Sequence, residues 1–61
     1  MTIKINDIVR VEQTIEPEPL NFIKEGTIAV VIDETEPNYA RIKFGYRIAW
    51  VDKKYLKVIN D

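Results

Sequence analysis

Apolar residues recur at alternate positions in short runs broken by turn residues, the period-two pattern of half-buried strands. Ile3 and Ile5 alternate with polar neighbours ahead of a turn at Asn6-Asp7. Ile8 to Gln13 predicts a first strand, with Val9 and Val11 on one face and Arg10 and Glu12 on the other. Thr27 to Ile32 predicts a second, the most apolar of the chain. Tyr39 to Phe44 predicts a third, with Ala40, Ile42 and Phe44 facing one way and Tyr39, Arg41 and Lys43 the other. Gly45 supplies a tight turn into a fourth strand over Tyr46 to Val51. Asp52 is a good N-cap for a single helical turn ending at Tyr55, and Leu56 to Ile59 closes as a short fifth strand.

The connections are as informative. Thr14 to Lys24 contains Glu16-Pro17-Glu18-Pro19. Each proline fixes its own φ and biases the residue before it toward extended backbone, so this stretch predicts a long acidic loop and no helix. Leu20, Phe22 and Ile23 are the residues expected to pin it to the core. Glu25-Gly26 predicts a turn, as does Asp33 to Asn38 with Pro37 inside it. Five short strands, a long first loop and one helical turn before the last strand make the layout of an all-β, five-stranded SH3-like barrel. An OB-type barrel is the runner-up, but it usually needs a longer chain and often a helix between its third and fourth strands.

At 61 residues the chain makes one domain, residues 1–61. A domain of this size buries only about 60% of the surface its unfolded chain exposes. The core is therefore expected to use nearly every apolar residue and to leave little room for a deep pocket. Cysteine is absent, so no disulfide or thiolate-rich zinc site supplements that core. The longest purely apolar run is the five residues Ile28 to Ile32, far short of a membrane span, and no signal-peptide pattern opens the chain. The expectation is a cytoplasmic protein without membrane insertion. Nine basic and ten acidic side chains give a net charge of −1, against the positive excess of most phosphate-gripping domains. The charge is uneven: eight of the ten acids lie in the first 36 residues, and six of the nine bases between 41 and 57.

Asp7-Ile8-Val9-Arg10-Val11, Glu25-Gly26-Thr27-Ile28, Ile42-Lys43-Phe44-Gly45 and Tyr55-Leu56-Lys57-Val58 together carry a resemblance. Over about residues 6 to 59 the chain resembles small bacterial SH3-like proteins. Among them are the photosystem I reaction-centre subunit IV (PsaE) family, a similar small subunit of cyanobacterial NADH-dehydrogenase-like complexes, and short bacterial domains of unknown function. The resemblance implies the barrel fold and the role of a small accessory subunit, and it supplies no site residues. Eukaryotic SH3 domains carry an Ala-Leu-Tyr-Asp-Tyr motif and paired tryptophans for proline-rich ligands. Neither is present here.

The chain has no His, Cys or Ser, which removes the usual nucleophiles, the best proton-transfer residue near neutral pH and the two commonest zinc ligands. Glu16 and Glu18 fall on one side of an extended segment, but a catalytic pair needs burial to separate its pKa values. Asp33, Glu34 and Glu36 lack the EF-hand spacing. The expectation is no enzyme, no cofactor and no metal.

Binding residues are easier to find. Tyr39, Arg41 and Lys43 share the polar face of the third predicted strand. In the fourth, Tyr46, Ile48 and Trp50 share one face and Arg47, Ala49 and Val51 the other, and both cannot be buried. If Ala49 and Val51 point inward, Tyr46, Ile48 and Trp50 form an exposed apolar stripe beside Tyr39. If not, Trp50 and Ile48 fill the core. An aromatic stripe beside arginine and lysine has the composition of interface hot spots. The same side chains can stack on bases and touch phosphates. The expectation is a non-catalytic protein-binding module, an accessory subunit or small regulator of a bacterial or phage assembly, with Tyr39, Arg41, Lys43, Tyr46, Arg47 and Trp50 as partner-binding residues. The alternatives are a nucleic-acid-binding domain, or an acidic phage-type inhibitor of a nucleic-acid-processing protein. A homo-oligomer stays open.

Overall fold

The computed structural model describes residues 2–16 and 22–60. Their elements are β1 (Ile8–Val11), β2 (Ile28–Asp33), β3 (Tyr39–Phe44), β4 (Arg47–Asp52), a 3-10 turn (Lys53–Tyr55) and β5 (Leu56–Val58). All five strands pair antiparallel in one sheet of order β4-β3-β2-β1-β5. No described helix is long and apolar enough to cross a membrane.

The two edge strands are consecutive in the chain, which bends the sheet. Flat, β4 and β5 would lie about 19 Å apart, four spacings of roughly 4.8 Å. A 3-10 turn rising about 2 Å per residue cannot span that distance. The turn is tied to both sides: Lys53 N–H donates to the Asn38 carbonyl beside β3 at 2.9 Å, and Glu12 N–H to the Tyr55 carbonyl after β1 at 2.8 Å. The Asp52 carboxylate caps the turn by accepting from Lys54 N–H at 2.9 Å, as its N-cap character predicts.

The concave face holds the core. Alternation places Val9 and Val11, Ala29 and Val31, Ala40 and Ile42, Val51 and Leu56 inward from the five strands, joined by Ile3 and Ile23. No aromatic ring and no polar side chain is buried among the described residues. The expectation that nearly every apolar residue would be needed is therefore corrected. Ile5, Ile8, Phe22, Ile28, Val30, Tyr39, Tyr46, Ile48, Trp50 and Ile59 all stay exposed. Aliphatic side chains form this core, and Ile15, Phe44, Ala49, Tyr55 and Val58 pack partly buried against it.

Of the residues expected to pin the first loop, Ile23 does so and Phe22 does not. Ile15 and Ile23 form an isolated bridge, exchanging backbone bonds of 2.8 and 2.9 Å, and Ile23 is buried while Phe22 is not. Glu16 is exposed. Residues 17–21, Glu18 and Leu20 among them, lie outside the described residues. The first strand ends at Val11, earlier than its pattern suggests, although Glu12 N–H still donates to the Tyr55 carbonyl in the register of β1 with β5.

Candidate functional site

The outer face of the β3–β4 hairpin is built by its turn. Gly45 and Tyr46 are the two central residues, and only Gly45 has positive φ, at 61°. Glycine at the first central position with positive φ is the arrangement of a type II′ hairpin turn, whose twist matches the strands. Phe44 and Arg47 then face each other, and the register runs on through Lys43 with Ile48, Ile42 with Ala49, Arg41 with Trp50, Ala40 with Val51 and Tyr39 with Asp52.

This register resolves the two readings of the fourth strand. Val51 is 3% exposed and points into the core, whereas Ile48 and Trp50 are 50% and 46% exposed on the opposite face. A two-residue turn makes its closing pair the hydrogen-bonded one. The outer pairs Lys43/Ile48 and Arg41/Trp50 thus fall at the positions where Cα atoms approach to about 4.5 Å and side chains lie closest.

Of the six residues singled out by sequence, Tyr39, Arg41, Lys43 and Trp50 share this face. Tyr46 sits in the hairpin turn, fully exposed, and not in the strand. Arg47 belongs to the inward alternation. Its guanidinium donates to the Phe22 carbonyl at 2.8 Å and lies 5.0 Å from the centre of the Phe44 ring. It ties the first loop to β4 and lies on the other side of the sheet from Trp50.

Sequence reasoning missed how far the apolar surface extends. Val30 pairs with Lys43 on one side and with Ile8 on the other, so Ile48, Lys43, Val30 and Ile8 form one row across four strands. The unbroken apolar run Ile28–Ile32 hid this, since it lacks the polar contrast that marks an outer face.

Acids gather at the other end of the face. β2 carries a bulge between Val31 and Asp33, which brings Asp33 opposite Arg41. The Asp33 carboxylate accepts from Thr35 N–H at 2.9 Å and from the Thr35 hydroxyl at 2.8 Å. These two bonds, with a smaller contribution from the Arg41 charge, hold its carboxyl below the usual aspartate range. The loop continues through Glu34 to Glu36, which lines with Tyr39 and Trp50 an open depression of about 390 Å³. Ion pairs among the described residues join Arg10 to Glu12 and Lys54 to Asp52, and neither Arg41 nor Lys43 takes part. No described group of three or more acidic side chains is placed to hold a metal ion.

Such an arrangement offers half-exposed rings, aliphatic surface and fixed charges of both signs, which is equipment for recognition. Compared with known protein families and with curated proteins, the chain matches none.

Proposed function

We propose that the chain is a non-catalytic protein-binding module with an SH3-like barrel fold, serving as a small accessory subunit or regulator in a bacterial or phage assembly. The strand order β4-β3-β2-β1-β5, the long loop after β1 and the 3-10 turn before β5 support the fold. One observation carries the function: ten aliphatic residues form the buried core, with Phe44 and Tyr55 partly buried against it, and Tyr39, Ile48 and Trp50 are left together outside it. In so small a domain, apolar surface withheld from the core and collected on one rigid hairpin is where a partner gains most from desolvation.

The test is capture on the immobilised protein from lysate of its source, with and without nuclease, with Trp50→Ala and Lys57→Ala run alongside and checked for folding by circular dichroism. A stoichiometric protein that survives nuclease, is lost with Trp50→Ala and is kept with Lys57→Ala supports the reading. Retention of nucleic acid alone, or of proteins that vanish with nuclease, overturns it.

Arg41 and Lys43 on the same face favour a second reading, nucleic-acid binding. That reading requires affinity for an oligonucleotide to fall steeply with added salt, whereas a contact centred on Trp50 and Ile48 changes little.

A further inference from the structure

We infer that the depression between Tyr39 and Trp50 seats one basic side chain, an arginine or lysine, presented by the protein partner. The inference rests on the protein-binding reading above and names what that partner must carry.

The walls come first. Tyr39 and Trp50 leave 48% and 46% of their surface in solvent. Together with Glu36 they line a space of about 390 Å³ that opens directly to the surface. Aromatic faces carry partial negative charge and attract a cation held within about 6 Å of the ring centre, tryptophan most strongly. A planar guanidinium can lie flat on such a ring while its edge donates to a carboxylate. Glu36 supplies that carboxylate at the rim.

The charge that lines the depression itself is negative, from Glu36. Asp52 is the cross-strand partner of Tyr39. Arg41, the partner of Trp50, is itself faced by Asp33 from β2. A cation entering the depression meets Glu36; the Asp52 carboxylate already serves Lys54, and Arg41 faces Asp33 without a close ion pair. A phosphate or carboxylate entering there meets Glu36 instead. The basic end of the face, at Lys43, is two residues further along β3.

Access suits a side chain carried on an extended segment. β4 is an edge strand of the sheet, so the rim beside Trp50 is not crossed by another described strand. The depression takes one side chain from a partner and does not need to enclose it.

The test uses short acetylated, amidated peptides, Gly-Gly-Arg-Gly-Gly with its lysine and glutamate counterparts, and a ten-nucleotide oligo(dT). Trp50 is the single tryptophan, so its indole N–H reports on the site in ¹H–¹⁵N spectra. The expected result is a saturable shift of the indole and of the Glu36 and Tyr39 amides with the arginine and lysine peptides, and none with the glutamate peptide. Glu36→Gln should weaken the arginine peptide about two- to fivefold, the worth of an exposed ion pair. An equal response to the glutamate peptide, tighter binding of oligo(dT) at the same residues, or no shift with any peptide overturns the inference. The two readings fail separately. If the captured partner is lost with Trp50→Ala but held unchanged by Glu36→Gln, the basic-side-chain seat is wrong and the protein-binding face stands.

Discussion

Arg47 reaches from the start of β4 to the backbone carbonyl of Phe22, 25 residues earlier, at 2.8 Å, while its guanidinium covers the ring of Phe44 at 5.0 Å. One side chain thereby fixes the returning limb of the first loop to the hairpin that carries the candidate site. A charge-assisted hydrogen bond and an exposed cation–ring contact together contribute about 1–2 kcal/mol.

Arg47→Ala should lower stability by about that amount in urea unfolding. It should also speed hydrogen exchange at the Ile15 and Ile23 amides, which hold the isolated bridge of the same loop. Arg47→Lys should recover only part of the loss, because an ammonium lacks the planar fork that serves ring and carbonyl together. Unchanged exchange at Ile15 and Ile23 in the alanine variant would show that the loop is held without Arg47.

Trp50 and Ile42 lie on adjacent strands of one hairpin and differ in what they support. Ile42 is fully buried and Trp50 is half exposed. Ile42→Ala should cost about 2–5 kcal/mol, a large part of the roughly 3–9 kcal/mol available to a domain of this length. Trp50→Ala should cost about 1 kcal/mol, the scale of a cross-strand surface pair. Thermal and urea unfolding of the two variants would check the order. A Trp50→Ala variant as unstable as Ile42→Ala would mean that the ring supports the core, and the binding face would lose its main residue.

Much of this fold is legible in the residue pattern, and the parts that are not have a common cause. Where polar and apolar residues alternate, as in Tyr39–Phe44, both the bounds and the buried face of the strand follow from the pattern. Asp52 marks its 3-10 turn because a cap is a local, one-residue signal. In β4 every residue from Ile48 to Val51 is apolar, so alternation has no contrast to read and two registers compete. The hairpin turn decides between them through Gly45 and the Phe44/Arg47 pairing. The size of the core misleads for a related reason: composition counts apolar residues without knowing that a curled sheet buries only its inner face, here ten aliphatic residues with five more packed against them. The bulge that sets Asp33 opposite Arg41, and the approach of Glu36 to Tyr39 and Trp50, are tertiary outcomes with no local signature.

Asp33 gives the acid limb of stability a specific contributor. Its folded pKa lies below the ordinary value, first through the Thr35 N–H and then through the Thr35 hydroxyl. A depressed carboxyl pKa stabilises the fold fully above the unfolded value of about 3.9 and loses that contribution as pH falls through the folded value. Thr35→Val removes the hydroxyl bond and leaves the N–H. The Asp33 midpoint, followed by carboxyl ¹³C chemical shift, should rise toward the ordinary value without reaching it. The stability difference from the parent should be largest near neutral pH and shrink below the folded pKa, where both proteins carry a protonated Asp33. A midpoint that does not move would remove the hydroxyl from the account.

Gly45 tests whether the hairpin register rests on backbone conformation alone. Its φ is 61°, and a Cβ built on it would meet no atom within 4 Å. Any penalty for a side chain there is therefore conformational and not a clash. Gly45→Ala should cost about 1–2 kcal/mol, the strain of an L-residue held at positive φ. The mirror-image residue has the opposite preference. A chain of 61 residues is within reach of chemical synthesis, and D-alanine at position 45 should be at least as stable as the parent. It should gain about 0.4–1 kcal/mol by restricting the unfolded chain. Equal losses with the two enantiomers would show that side-chain bulk, and not the sign of φ, sets the turn. The pairing that turns Trp50 outward would then have to come from elsewhere in the sheet.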